Sequence, residues 1–104
     1  MSRIQSYPSK STEGGALDQT ITNTELRNIN AKSFTGETDK DSELIVTDSE
    51  DNVLFKMPVY AYETFHFESS TGFFDIKDSI TVSISDSTDI AYINTCIEWS
   101  SLLW

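Results

Sequence analysis

Residues 80–99 constrain the fold more than any other stretch, because two runs of alternating apolar and polar side chains follow one another there. In the first run, Ile80, Val82 and Ile84 fall on one side. In the second run the residues on one side are Ala91, Ile93, Thr95, Ile97 and Trp99. Side chains alternate between the two faces of a β-strand, so each run predicts a half-buried strand. Residues 86–89, Asp-Ser-Thr-Asp, favour turns. The sequence therefore predicts a β-hairpin here, with upstream strands covering its apolar face.

Five further strands are predicted upstream, at about residues 19–25, 27–34, 44–46, 53–57 and 60–67. The third and fourth form a hairpin around the polar turn 48–52. Pro58 cannot donate to a ladder, so the strand beginning at Val53 is expected to stop near Met57 or to run along a sheet edge. Residues 35–43 contain no apolar side chain and are predicted to form a solvated loop. A helix over residues 20–34 is the alternative, which its three asparagines disfavour.

Short strands without a convincing helix predict an all-β fold. The expected architecture is a single antiparallel β-sandwich of the jelly-roll or immunoglobulin-like kind. Two sheets would bury one set of large side chains between them. The predicted core residues are Val46, Leu54, Phe65, Phe67, Phe74, Ile80, Val82, Ile84, Ile93, Ile97 and Trp99.

The two flanks lack a periodic pattern. Residues 1–19 are predicted to be an extended N-terminal arm, residues 20–99 the β-sandwich, and residues 100–104 an apolar tail. The tail could fold back over the sandwich or insert into a neighbouring subunit, because large apolar side chains usually require burial. The second reading makes both flanks interface segments. The candidate interface residues are Tyr7, Pro8, Leu17, Leu102, Leu103 and Trp104.

The net charge of −10 limits the classes of partner. An acidic surface repels phosphate backbones, which argues against nucleic-acid binding. No stretch approaches the roughly 18 uninterrupted apolar residues of a membrane span, so no membrane partner is predicted. The first 15 residues lack the apolar segment of a signal peptide, so secretion by the usual route is not expected.

Catalytic, metal and cofactor sites are not predicted. The only histidine is His66 and the only cysteine is Cys96, too few for an ordinary zinc site or for a Cys–His pair with a second base. His66 is interpreted as a surface residue, and Cys96 as a small side chain facing the second layer. Asp39, Asp41 and Glu43, with the acidic turn 48–51, suggest calcium only weakly because the EF-hand spacing is absent.

Residues 44–99 resemble small β-sandwich virion proteins of tailed bacteriophages, of the decoration or head-stabilising type. The resemblance rests on the order of three segments: LIVTDSEDNVLFKMPV, then YAYETFHFESSTGFFDIKDSITVSIS, then SDSTDIAYINTCIEW. Relatives commonly carry a Gly-rich loop where this chain has VYAYETF. The resemblance implies a non-enzymatic protein made in the host cytoplasm and located in the virion. It also implies binding to the major capsid protein or another virion protein, in many symmetric copies, so that a homo-oligomer is expected.

Two alternative functions remain open. An acidic inhibitor of a host defence protein would mimic nucleic acid and bind a basic partner. A carbohydrate-binding module would instead stack sugars on Tyr60, Tyr62 and Tyr92, presented on one face.

Overall fold

The computed structural model describes residues 2–11, 17–23, 27–85 and 91–101. Within these ranges the chain forms β-strands joined by turns, and no helix there is long and apolar enough to span a membrane. The strands are β1 (Ser2–Ser11), β2 (Leu17–Thr22), β3 (Arg27–Thr38), β4 (Ser42–Asp48), β5 (Val53–Val59), β6 (Phe65–Glu68), β7 (Phe74–Asp75), β8 (Ser79–Ile84) and β9 (Ala91–Ser101).

The strands form two antiparallel sheets that pack face to face. The first sheet has the order β1-β9-β3-β6, with the two-residue β7 also pairing with β3. The second has the order β2-β8-β4-β5. If β6 and β7 are counted as one position, the eight strand positions have the order of a jelly roll, in which the chain passes repeatedly between the sheets. The predicted all-β sandwich is therefore confirmed, and the strand order selects the jelly roll over the immunoglobulin-like alternative.

The predicted hairpin between residues 80–84 and 91–99 is wrong. β8 pairs with β2 and β4 in the second sheet, whereas β9 pairs with β1 and β3 in the first. The loop 86–90 lies outside the described residues. Alternation specifies which side of a strand faces the core but not which sheet the strand joins. Ile84 and Ile93 are both fully buried, as expected, but they face the core from opposite sheets.

Most of the predicted N-terminal arm belongs to the sandwich. Ser2–Ser11 pair with β9 along their whole length, from Ser2 opposite Ser100 to Ser11 opposite Ala91. β2 begins at Leu17, before the expected boundary at residue 20. An edge strand is held largely by its backbone ladder and does not need a fully alternating pattern, which explains why β1 has no clear signal. Residues 12–16 and 102–104 lie outside the described residues.

Two segments differ from the predicted strand boundaries. β3 continues through Thr38, into the predicted loop 35–43, and pairs with β9 to its last residue. Of the predicted strand 60–67, only residues from Phe65 onward are in β6. Residues 60–64 turn instead: Tyr62 has a φ of 62° and its N–H donates to the Thr38 carbonyl at 2.8 Å. Pro58 lies within β5, which does not stop at Met57 but runs along the edge of the second sheet. This is the second of the two expected outcomes for the strand that begins at Val53.

Two β-bulges shift the alternation that the sequence pattern suggests. Lys32 is the extra residue in β3, between the Ala31 and Ser33 pairings, so that Ala31 and Phe34 both face the core. Leu54 is the extra residue in β5, and it is 39% exposed although it was expected in the core. A bulge sets two residues against one on the partner strand. Neighbouring Phe55 therefore turns inward in place of Leu54.

The core lies between the sheets and extends beyond the predicted set. Of that set, Val46, Phe65, Ile80, Val82, Ile84, Ile93 and Ile97 are buried, and Phe67, Phe74 and Trp99 are partly buried against them. The residues added by the structure are Ile21, Ile29, Ala31, Phe34, Leu44, Val59, Ile76 and Ala91. All six phenylalanines of the chain form one connected cluster, with ring centroids 5.0 to 6.3 Å apart. Such contacts add to area burial and join β3, β5, β6 and β7 at one side of the sandwich.

Candidate interaction surfaces

The predicted interface residues are only partly within the described structure. Tyr7 is half-buried in β1 and packs against the core, while Pro8 beside it is exposed. Leu17 is the first residue of β2, and its backbone pairs with Ile84. Its side chain is not among those that the structure describes. Leu102, Leu103 and Trp104 lie outside the described residues. Tyr7 therefore has a structural role in the fold, and the interface role of the set stays a prediction.

Three polar side chains on the first sheet form a connected constellation that sequence reasoning missed. Thr35 Oγ1 lies 2.6 Å from His66 Nδ1, and His66 Nε2 lies 2.8 Å from Glu68 Oε2. A hydroxyl, an imidazole and a carboxylate in this order have the connectivity of a nucleophilic triad. However, the His66 and Glu68 side chains are 52% and 65% exposed, whereas strong transition-state stabilisation needs a water-excluded site. The arrangement fits a hydrogen-bonded surface ladder better than a catalytic centre.

The expected surface position of His66 is confirmed, but the expected position of Cys96 is wrong. In β9 the buried side chains are those of Ala91, Ile93, Thr95 and Ile97, so Cys96 lies on the outer face of the first sheet. Its Sγ is 3.3 Å from Ser6 Oγ on β1. Thr95, not Cys96, is the polar residue of this strand that faces the second sheet.

Two carboxylates of the acidic loops, which suggest calcium only weakly, accept hydrogen bonds that hold turns. Asp48 Oδ1 accepts hydrogen bonds from the N–H groups of Glu50 and Asn52, at 2.8 and 2.9 Å. Donation from the backbone and side chain of Asn52, with a smaller contribution from Glu50, lowers the pKa of Asp48. Asp41 Oδ1 accepts from the Ala61 N–H at 2.9 Å. Within the described ranges, no three His, Cys, Asp or Glu side chains are grouped so as to hold a metal ion.

Acidic side chains concentrate at both ends of the sandwich. At one end the β4–β5 turn and the segment before β8 line a groove of about 290 Å³ that holds Asp48, Glu50, Asp75 and Asp78, with Lys77. At the other end lie the loop that carries Asp39 and Asp41 and the turn that carries Glu63. The outer face of the second sheet is different. The central strand β8 presents the hydroxyl groups of Ser79, Thr81 and Ser83 there, and Thr81 Oγ1 lies 3.4 Å from Thr20 Oγ1 on the edge strand β2.

Exposed apolar side chains concentrate on β5 and the turn that follows. Val53, Leu54, Met57 and Tyr60 are 59%, 39%, 38% and 55% exposed, and Tyr62 is 77% exposed. Elsewhere in the described part, the one other large apolar side chain that is exposed is Ile4 on β1. These side chains do not share one face of the strand, since Met57 pairs with the core-facing Leu44 and Val53 with Thr47 on the outer side.

Comparison with known proteins gives structural matches alone. No family model matches the chain, and no curated protein matches it. A structure of Bacillus endospore appendages, which form disulfide-linked pili, matches with a TM-score of 0.61 at 10% identity, over 96% of this chain and 88% of that one. The coat protein of Tobacco streak virus matches with a TM-score of 0.54 at 11% identity, over 94% of this chain and 86% of that one.

A third similar structure is the Drosophila NLP core, described with pentamer formation and histone binding. Its TM-score is 0.52 at 14% identity, over 88% of this chain and 96% of that one. At such low identities these likenesses establish the fold and not the activity. They agree with the jelly-roll order read from the strand pairings.

Proposed function

We propose that the protein is a non-enzymatic structural component of a virion, of the decoration or head-stabilising type found in tailed bacteriophages. It would bind the major capsid protein or another virion protein and would be present in many symmetric copies. The observation that carries this proposal is the jelly-roll strand order, which occupies nearly the whole chain. A viral coat protein and an appendage subunit share this fold over most of their own lengths.

The distribution of polar groups supports a structural role. The buried hydroxyl of Thr95 donates to Gln19 across the two sheets, and the surface carboxylate of Asp48 closes a turn. These groups stabilise the fold. The triad-like arrangement around His66 is open to water.

The flanks supply one set of proposed contacts with the shell. Pro8 is exposed on β1, and the tail that follows Ser101 carries Leu102, Leu103 and Trp104. Deletion of residues 102–104 removes none of the described strand pairings. This deletion is therefore better suited to test docking than removal of residues 1–15, which would take away β1.

The test is co-sedimentation of purified protein with virus particles from its source, in a series of sodium chloride concentrations. We expect saturable binding that changes little with salt, because apolar and main-chain contacts are not strongly screened. Deletion of residues 102–104 should weaken binding at least tenfold while far-ultraviolet circular dichroism stays the same. Failure of the full-length protein to sediment with particles at any salt concentration would contradict the proposal.

A second candidate function follows from the charge. The chain carries a net charge of −10, its ends are acidic, and its fold is shared with the NLP core, which is described with histone binding. An acidic binder of basic proteins, including an inhibitor that mimics nucleic acid, would associate through these ends. Its binding should weaken steeply as ionic strength rises. Salt dependence therefore separates the two functions in one experiment.

The carbohydrate-binding alternative receives less support. Tyr60 and Tyr62 lie in the turn after β5, whereas Tyr92 is half-buried on the outer face of the first sheet. The carbohydrate-binding hypothesis requires the three rings to share one face. They do not share one.

A further inference from the structure

Tyr62 combines an unfavourable backbone conformation with a side chain that lies in solvent. Its φ is 62°, and it is 77% exposed, the largest value for any large apolar side chain that the structure describes. A positive φ is costly for a bulky residue and is retained most often at functional sites. The other non-glycine residue with a positive φ in the described ranges is Asp51, whose residue type tolerates such values. Neither packing nor turn chemistry therefore accounts for a tyrosine at position 62.

The main chain, rather than the ring, fixes the position of Tyr62. Its N–H donates to the Thr38 carbonyl at the end of β3, at 2.8 Å. The N–H of the preceding residue, Ala61, donates to Asp41 Oδ1 at 2.9 Å. These two hydrogen bonds join the turn to β3 and to the loop that follows it. The ring can therefore be replaced without loss of the contacts that hold the turn.

A cavity of about 150 Å³ lies beside Tyr62 and is lined also by Glu37, Thr38 and Asp39. Thr38 is 1% exposed and belongs to the core side of β3, whereas Glu37 and Asp39, on either side of it, are half-buried. The cavity thus brings one aromatic residue and two carboxylate residues together at the surface. The face of an aromatic ring attracts cations, and carboxylates accept charge-assisted hydrogen bonds from them. This combination favours a cationic ligand.

The surroundings of the cavity favour arginine on a partner protein. Residues 37–43 contain four acidic side chains and one basic one, in a chain with a net charge of −10, so the local field attracts basic groups. A guanidinium group is planar, stacks on aromatic rings and presents a fork of N–H donors that matches a carboxylate. A lysine ammonium group is compact and more strongly hydrated, so it gains less from the ring.

We propose that Tyr62, Glu37 and Asp39 bind an arginine side chain of a partner protein. The guanidinium group would stack on the Tyr62 ring and donate hydrogen bonds to the carboxylates. The inference goes beyond the proposed function, since it names a site and the side chain that the site accepts. It is tested with a peptide and without virus particles. Its failure would therefore leave the sedimentation test of the proposed function unaffected.

The experiment is a titration of ¹⁵N-labelled protein with the peptide Gly-Arg-Gly, blocked at both ends, to millimolar concentration, followed by nuclear magnetic resonance. We expect saturable shifts centred on the amides of residues 37–39 and 61–63. Tyr62→Gly should weaken binding about fivefold, as expected for loss of an exposed cation–π contact, while the thermal-unfolding midpoint is kept because glycine adopts a positive φ without strain. Tyr62→Phe, which keeps the ring, should bind as the wild type does.

Tyr60→Ala is the matched control, since Tyr60 is 55% exposed in the same turn and does not line the cavity. It should bind the peptide as the wild type does. The same peptide with citrulline, a neutral isostere of arginine, should not bind, and the lysine peptide should bind more weakly than the arginine peptide. If Tyr62→Gly does not fold, Glu37→Gln replaces it and should also weaken binding.

Three results would overturn the inference. The first is equal binding of the arginine and citrulline peptides. The second is equal affinity of the wild type and Tyr62→Gly, or of the wild type and Glu37→Gln where that variant is used. The third is a set of shifts spread over both acidic ends of the sandwich, which would indicate attraction by net charge without a site.

Discussion

Thr95 Oγ1 donates a 2.7 Å hydrogen bond to Gln19 Oε1 and thereby joins the two sheets across the buried interior. Thr95 lies in β9 and is fully buried, and Gln19 lies in β2 and is 7% exposed. The Gln19 amide nitrogen donates in turn to the Tyr7 carbonyl of β1. One polar side chain of the second sheet thus contacts the two outermost strands on this side of the first.

The substitution Thr95→Val tests this connection. Valine has nearly the same shape but no hydroxyl, so Gln19 Oε1 loses its buried donor, which typically costs about 1–3 kcal/mol. Urea unfolding should show this loss. Thr20→Val, on the exposed face of β2, is the matched control and should change stability by no more than about 0.5 kcal/mol. Equal effects of the two substitutions would contradict the assignment.

Ile84 and Ile93 should contribute similarly to stability from the two sheets. Both are 0% exposed, and replacing either with alanine is expected to cost about 2–5 kcal/mol because it leaves a cavity. Chemical denaturation measures the change. Ile4→Ala, at an exposed site of β1, should have little effect. A loss below about 1 kcal/mol for Ile93→Ala would place Ile93 outside the core.

Gly36 should tolerate no side chain. A Cβ atom there would lie 2.1 Å from the Tyr92 carbonyl oxygen and 2.6 Å from the Phe65 ring. The first contact is with the backbone of the neighbouring strand, so β3 and β9 would have to separate. We expect Gly36→Ala to destabilise the fold by about 1–3 kcal/mol or more, as overpacking does. A thermal-unfolding midpoint equal to that of the wild type would show that the strands are not so close.

Asp48 should make stability depend on pH in the acid range. Its folded-state pKa is lowered from its ordinary value of 3.8 by the hydrogen bonds from Asn52 and Glu50. The unfolded chain therefore takes up a proton more readily, and the stabilisation is present above about pH 4 and lost as the pH falls through the folded pKa. The difference in unfolding free energy between wild type and Asp48→Ala should shrink over that range. A constant difference from pH 6 to pH 2 would contradict the assignment.

Side-chain alternation predicted the buried faces better than the connections between strands. It identified Ile84 and Ile93 as core residues, but their strands were wrongly predicted to form one hairpin. A hairpin and a crossover between sheets bury the same faces of the strands, so alternation does not distinguish the two connections. Leu54 was misplaced because a bulge is a backbone irregularity without a distinctive residue type. β1 was missed because its pairing is carried by the main chain, and its Ile4 points to solvent.

The interaction surfaces were less predictable than the core. The exposed side chains of β5 have the composition of an ordinary hairpin strand, and their exposure follows from the position of β5 at the edge of the second sheet. The contact between Thr35 and His66 joins residues 31 apart in the sequence, through strand pairing. Neither feature is encoded in a local pattern.

The copy number of the protein in purified virus particles tests the central claim most directly. Particles from the source would be separated on a density gradient, and each fraction quantified by mass spectrometry against the major shell protein. A structural component should follow the particle peak at a constant ratio, with many copies per particle. Recovery of the protein only in fractions without particles would contradict the account.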